Sequence, residues 1–314
     1  MNFAAFYVGP SLPAHMQACL RSWVDFGHSI ELYTYDPDLV MPRGVQRRDA
    51  AEILPSSAIF THGKGVGKGT IAAFSDEFRF RLCQARDVIW VDTDQLCLRA
   101  DWPQREYLFA WQTSEKLEIN IAVFGAPADS ELLRVVLDEI NAVDKAEAYF
   151  GQVGPVPFTR AVRKLGLEHL ASDPTEFYPL NVFQCRYFLD PELREEALRI
   201  VQGSYAVHLW NEVWTRQRFP TFLRPPKGSF LELIYERHGV TIPIEAYVDD
   251  LDALTVVPSE PVVTLAEFEK VSTWASSLET ELQSVREWAA SMEHELTAGH
   301  SRGLVQRIRA KFSA

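Results

Sequence analysis

Net positive charge is what this sequence most plainly lacks: 31 lysines and arginines stand against 43 aspartates and glutamates, a formal net charge of −12. A general nucleic-acid binder needs a basic surface to displace counterions from phosphates, so that class of partner is excluded. A small anionic ligand held through a metal is not. Cysteine pairing is missing as well. Cys19, Cys83, Cys97 and Cys185 form no CxxC and no metal-ligand spacing, which predicts reduced thiols at small apolar core positions in a cytosolic compartment. No run approaches the ~20 apolar residues of a membrane span, and MNFAAFYVGP lacks the basic and apolar regions of a secretory leader. Cytoplasmic residence is therefore expected. A Walker P-loop is also missing. HGKGVGKGT at 62–70 carries His62 where the first glycine belongs and Gly69 where Ser or Thr belongs, so it reads either as a mobile loop folding over a ligand or as a solvated linker.

What is present is core material. The 314 residues are 47% hydrophobic and 12% aromatic, enough for one large or two ordinary domains. Phe3–Val8 reads as a buried strand ended by Gly9-Pro10. Ala14–Phe26 places Met16, Leu20, Trp23 and Val24 near helical spacing and stops at Gly27, and Ile30–Tyr35 is a second strand closed by Asp36-Pro37. This βαβ opening predicts an α/β fold, a mostly parallel sheet flanked by helices. Ligands of such sheets bind beyond the carboxyl ends of the strands, which makes Gly9 and Tyr35 candidates for contact with a nucleotide.

The chemistry concentrates in SDEFRFRLCQARDVIWVDTD, Ser75–Asp94. Helix Ile71–Gln84 has an apolar stripe at Ala73, Phe74, Phe78, Phe80 and Leu82, leaving Asp76 and Arg79, at i and i+3, on a different face. The short apolar run Val88–Val91 then feeds Asp92-Thr93-Asp94. On an extended strand exit, i and i+2 point to the same side, so both carboxylates can converge on one divalent ion. A solvated acidic loop carries the same pattern; position at the exit of a buried strand separates the two. An apolar strand ending at His208, in YAVHLWNEVW, supplies a third candidate ligand, followed by Trp210 and Trp214.

SDEFRFRLCQARDVIWVDTDQLCLR resembles the DXD segment of GT-A (Rossmann-like) glycosyltransferases related to the family 32 sugar transferases, with Asp87-Val88 where that family usually has a glycine pair. The resemblance implies that Asp92 and Asp94 hold Mn²⁺ or Mg²⁺ against the diphosphate of a UDP- or GDP-sugar, and that Asp76 and Arg79 contact the donor sugar. EINIAVFGAP resembles the strand after the metal loop, with Asn120 reaching the sugar. GQVGPVPFT resembles an acceptor-side Gly-Pro-x-x-x-Thr segment. YAVHLWNEVW resembles the HxW element, with His208 completing the coordination and Trp210 lining the pocket. The implied reaction is glycosyl transfer with retention to a saccharide or glycolipid acceptor, in surface polysaccharide or glycolipid synthesis.

The expected domain covers 1–256, followed by a linker at 257–264. Residues 265–298 carry a heptad pattern, read either as a homodimer seam or as a helix packed back on the body. Residues 299–314 form a basic amphipathic tail, suited to peripheral contact with an anionic membrane or to a solvated terminus. Two rivals remain open: a DxD phosphatase of the haloacid-dehalogenase type and a non-enzymatic coiled-coil adaptor.

Overall fold

The first strand supplies both halves of the core. β1 (Asn2–Phe6) directs Phe3 and Ala5 into one apolar cluster and Ala4 and Phe6 into another, the period-two alternation of a strand buried on both faces. α1 (Ala14–Asp25) covers the first face with Met16, Leu20 and Trp23. The second face is covered by α2 (Ala72–Ala85), α3 (Glu131–Asn141) and α4 (Pro155–Lys164), through Phe74, Phe78, Leu133 and Phe158. The computed structural model describes residues 1–61, 69–148, 151–216 and 219–248, all inside the compact unit Met1–Thr255. The glycine-rich segment 62–68, the linker, the heptad segment and the basic tail lie outside the described residues.

The remaining strands are β2 (Ser29–Thr34), β3 (Gln46–Asp49), β4 (Ile89–Val91), β5 (Gln95–Cys97), β6 (Leu108–Trp111), β7 (Ile119–Gly125) and β8 (Ala206–His208). The main sheet runs β3-β2-β1-β4-β7-β6. β1 pairs in parallel with β2 and β4, and β2 with β3. β7 is antiparallel to both β4 and β6, so the mostly parallel sheet carries an antiparallel flank. β3, QRRD, escaped the sequence reading because it is a polar edge strand. Arg48 on it donates to Glu31 Oε1 at 2.9 and 2.8 Å, and such charge keeps an open edge from pairing with other chains.

A second, two-stranded sheet joins β5 and β8, with Gln95 opposite His208. The shorter helices α5 (Arg186–Leu189), α6 (Arg194–Ile200), α7 (Asn211–Arg216) and α8 (Phe230–Arg237) complete the α1 side. All four cysteines are buried and free, as small core residues should be. Among the described residues no helix is long and apolar enough to cross a membrane.

Candidate active site

The two aspartates of DTD do converge, but for a different reason from the one expected. Residues 92–94 are not extended. They form a turn between β4 and β5, closed by the Gln95 N–H donating to the Asp92 carbonyl at 3.0 Å. Asp92 stays with the main sheet, its N–H donating to the Ala122 carbonyl on β7 at 2.8 Å. Asp94 belongs to the small sheet, its carbonyl accepting the Leu209 N–H at 3.0 Å.

Each carboxylate is held from behind. Asp92 Oδ1 accepts from Trp90 Nε1 at 2.7 Å and lies 3.2 Å from Arg79 Nη1. Asp94 Oδ2 accepts the Asn211 N–H at 2.7 Å and lies 3.1 Å from His208 Nε2. One candidate ligand atom from each of Asp92, Asp94 and His208 falls within 4.8 Å of the others, the one such cluster among the described residues. Hard carboxylate oxygens with one imidazole nitrogen are a suitable donor set for Mn²⁺. One further atom supports the fit: His208 Nδ1 is buried with no hydrogen-bond partner, and an orphan of this kind marks a place where a ligand or ion completes the set; Arg79 Nε, also buried and unpartnered, is an N–H donor that calls for an acceptor oxygen instead.

Burial penalises charge on Asp94, yet His208 and the Asn211 N–H outweigh it and hold the Asp94 carboxyl below its ordinary value. Burial likewise opposes protonation of His208, and the two aspartates overcome it, raising the imidazole. Without a metal, the His208 imidazole lies 3.1 Å from Asp94 Oδ2, a contact that a divalent cation must compete with for its ligands.

Asp76 and Arg79 depart from the expectation in burial. α2 is packed on nearly every side, so Arg79 is only 4% exposed; the apolar stripe could not reveal this, because arginine is rarely inside unless paired. Its partners explain it. Arg79 reaches Asp76 at 2.7 Å, Asp92 and the Ile121 carbonyl, and its guanidinium sits 4.9 Å from the Trp90 ring centroid. One planar fork thereby ties the helix, the DTD turn and β7 together. Asp76 is pushed up to about 7: burial is the main cause, Arg79 opposes it, and Asp92 and Glu118 add to it.

Gly154, before α4, is pressed against this carboxylate. A Cβ there would lie 2.1 Å from Asp76 Oδ2. Thr159 closes the Gly-Pro-x-x-x-Thr segment by accepting the Ile119 N–H at 2.9 Å, which fixes α4 to the start of β7.

The other candidates lie around this centre. Asn120 is on β7, its Oδ1 accepting the Ala122 N–H at 2.7 Å and its Nδ2 donating to Gln112 at 3.0 Å. Trp210 packs 4.2 Å from the His208 ring and donates its indole N–H to the Leu180 carbonyl at 2.9 Å. Its φ of +59° is costly for a bulky residue and is the kind of strain that collects at functional sites. Gly9 and Tyr35 follow the carboxyl ends of β1 and β2; the Tyr35 hydroxyl donates to the Leu54 carbonyl at 2.8 Å.

Sequence reasoning missed Trp90, Tyr178 and Asn211, and it placed Gly154 in an acceptor-side segment without its contact with Asp76. Tyr178 accepts the Val123 N–H on its hydroxyl at 3.0 Å and faces His208 at 6.1 Å between ring centroids. Asn211 acts through its backbone, which no residue pattern announces. Trp90 alone was legible in principle, two residues before Asp92 on the same strand.

Residues 146–238 match the family model described as the alpha 1,4-glycosyltransferase conserved region. That stretch holds His208 and Asn211, which contact Asp94, together with Gly154, Thr159 and Tyr178. Among solved structures, PaToxG Glycosyltransferase is similar over 74% of this chain and 86% of its own, at 11% identity and a TM-score of 0.40. No curated protein matches.

Proposed function

We propose that this glycosyltransferase, of GT-A-like and family 32 type, moves a sugar from a nucleotide-sugar donor to a saccharide or lipid-linked acceptor in a metal-dependent reaction that retains anomeric configuration. The observation that carries the proposal is the convergence of Asp92, Asp94 and His208 within 4.8 Å, with Arg79 joining that cluster to Asp76. Asp92, Asp94 and His208 would hold Mn²⁺ or Mg²⁺, which when bound supplies Lewis-acid stabilisation to a departing diphosphate.

The chain's own residues do the rest. Arg79 and Trp90 fix Asp92 before any ligand arrives, so no reorganisation is needed at the moment of reaction. Asp76, ionised, can accept hydrogen bonds from sugar hydroxyls; protonated, it can donate one. Asn120 stands on the strand beside Arg79's carbonyl partner, at the sugar side. Gly9 and Tyr35, past the ends of β1 and β2, would border the nucleotide, and Trp210 backs His208. Retention rests on the resemblance of the DXD and HxW segments. A cytoplasmic setting, membrane contact through 299–314 and self-association through 265–298 rest on sequence alone.

The test is release of nucleoside diphosphate from a panel of UDP- and GDP-sugars, with Mn²⁺, with Mg²⁺ and with chelator. Turnover of at least one donor, lost on chelation and in Asp94→Ala while the circular dichroism spectrum is retained, is expected. Phosphate-monoester hydrolysis with no donor turnover would replace this reading by the phosphatase one.

A further inference from the structure

His15 is a polar residue in an apolar place. It lies on α1 at 0% exposure, among core residues, with its ring 5.0 Å from that of Trp214. Its Nδ1 is buried without a partner. Phenylalanine or leucine would fill the same space against Trp214 without desolvating a polar atom, so packing alone does not call for an imidazole. What the imidazole adds is one hydrogen bond: Nε2 lies 2.8 Å from Asn211 Oδ1. An amide oxygen only accepts, so His15 is the donor, in its neutral Nε2–H tautomer.

The backbone N–H of that same Asn211 donates to Asp94 Oδ2 at 2.7 Å, the oxygen that also faces His208 Nε2 at 3.1 Å. The side chain of Asn211 is thus pinned from α1 while its main chain pins the carboxylate. We propose that His15 is a positioning residue that orients Asp94 through Asn211, so that the metal-binding turn is set partly by a helix on the opposite face of the main sheet from α2. This rests on the metal reading given above. It adds to that reading a dependence on a residue remote from the DTD and HLW segments.

The test uses the full chain with His15→Phe, which keeps bulk and removes the donor, and His15→Gln, which keeps an amide donor. Asn211→Ala cuts the same bond from its other end and is surface-accessible enough to fold if His15→Phe does not. Mn²⁺ affinity is read from the electron paramagnetic resonance signal of the free ion, without donor. Backbone hydrogen exchange of a peptide covering 209–214 is read in metal-free protein.

His15→Phe and Asn211→Ala are expected to weaken Mn²⁺ binding about tenfold or more, the usual effect of losing a partner that orients a ligand. Both are expected to speed exchange at 209–214 with Tm little changed, and His15→Gln is expected to recover most of both. Wild-type affinity and slow exchange in His15→Phe would overturn the proposal. So would an equal loss in His15→Gln and His15→Phe, which would make the role one of packing. If the wild-type chain binds no Mn²⁺, the metal reading fails by itself; the exchange measurement then still decides whether His15 positions Asn211.

Discussion

Asp76→Asn should make the protein more stable and useless at once, and the pH dependence of the difference tests why. The Asp76 side chain is 15% exposed and paired with Arg79 at 2.7 Å, yet burial and the neighbouring acids Asp92 and Glu118 lift its carboxyl from an ordinary 3.8 to about 7. A folded-state value above the unfolded one means that the fold binds the Asp76 proton more tightly. Its stabilising contribution is fully present below pH 3.8 and is lost as pH rises through about 7. At about 1.4 kcal/mol per pH unit over that gap, ionised Asp76 costs the fold on the order of 4 kcal/mol above neutrality. Asparagine keeps the shape of the neutral acid and does not titrate. Urea unfolding of wild type and Asp76→Asn, in chelator, should give matching stabilities near pH 4. The mutant's advantage should then grow by about 1.4 kcal/mol per unit to a plateau above pH 7. Donor turnover by the mutant should be lost throughout. A difference curve that is flat in pH, or a wild type more stable at pH 8, would refute the account of Asp76 as a carboxylate held in place against its own solvation.

Arg79→Lys should keep the fold but lower turnover about 100-fold, because one ammonium cannot serve Asp76, Asp92 and the Ile121 carbonyl together; near-normal kcat with Mn²⁺ would contradict this. Gly154→Ala would place a Cβ 2.1 Å from Asp76 Oδ2, and the displacement should cost on the order of 100-fold in kcat/KM for the donor. An unchanged value would show that Asp76 does not have to stand where it does. Mn²⁺ affinity should fall as pH falls, approaching tenfold per unit below the raised His208 value, since the proton and the ion compete for the imidazole. Isothermal titration at several pH values in one ionic strength would show it. A pH-independent affinity would remove His208 from the ligand set.

The parts of this site that use residue type were visible in the sequence; the parts that use the backbone were not. Asp92, Asp94 and His208 stood out at the exits of apolar strands, Asp76 and Arg79 as an i, i+3 pair on the helix just upstream, and the resemblance of the whole segment to the DXD and HxW elements joined them into one site. Strand periodicity, however, gave the wrong cause for the meeting of Asp92 and Asp94, which is a turn between two sheets. β5 is only three residues long and carries no periodicity to read. The burial of Arg79 was hidden because an amphipathic stripe marks where apolar residues face, and says nothing of a polar residue enclosed by its own partners. Gly154 was placed on the acceptor side by its Gly-Pro-x-x-x-Thr segment. Its real constraint, a carboxylate where its side chain would be, depends on a contact between α4 and α2 that no local pattern encodes.

The turn at Asp92–Asp94 also separates what this protein can vary from what it cannot. Asp92 is fastened to β7 and Asp94 to β8, and β8 returns from far along the chain to pair with β5. The register of β5 and β8 sets Asp94 against His208, so the loops threaded between those strands that touch neither β7, Gly154 nor Tyr178 can lengthen, shorten or change composition without moving an oxygen or nitrogen of the cluster. Those loops could therefore be rewritten while the cluster of Asp92, Asp94 and His208 is kept intact. A single residue inserted at Thr93 would have the opposite effect, breaking the cluster while leaving both sheets standing.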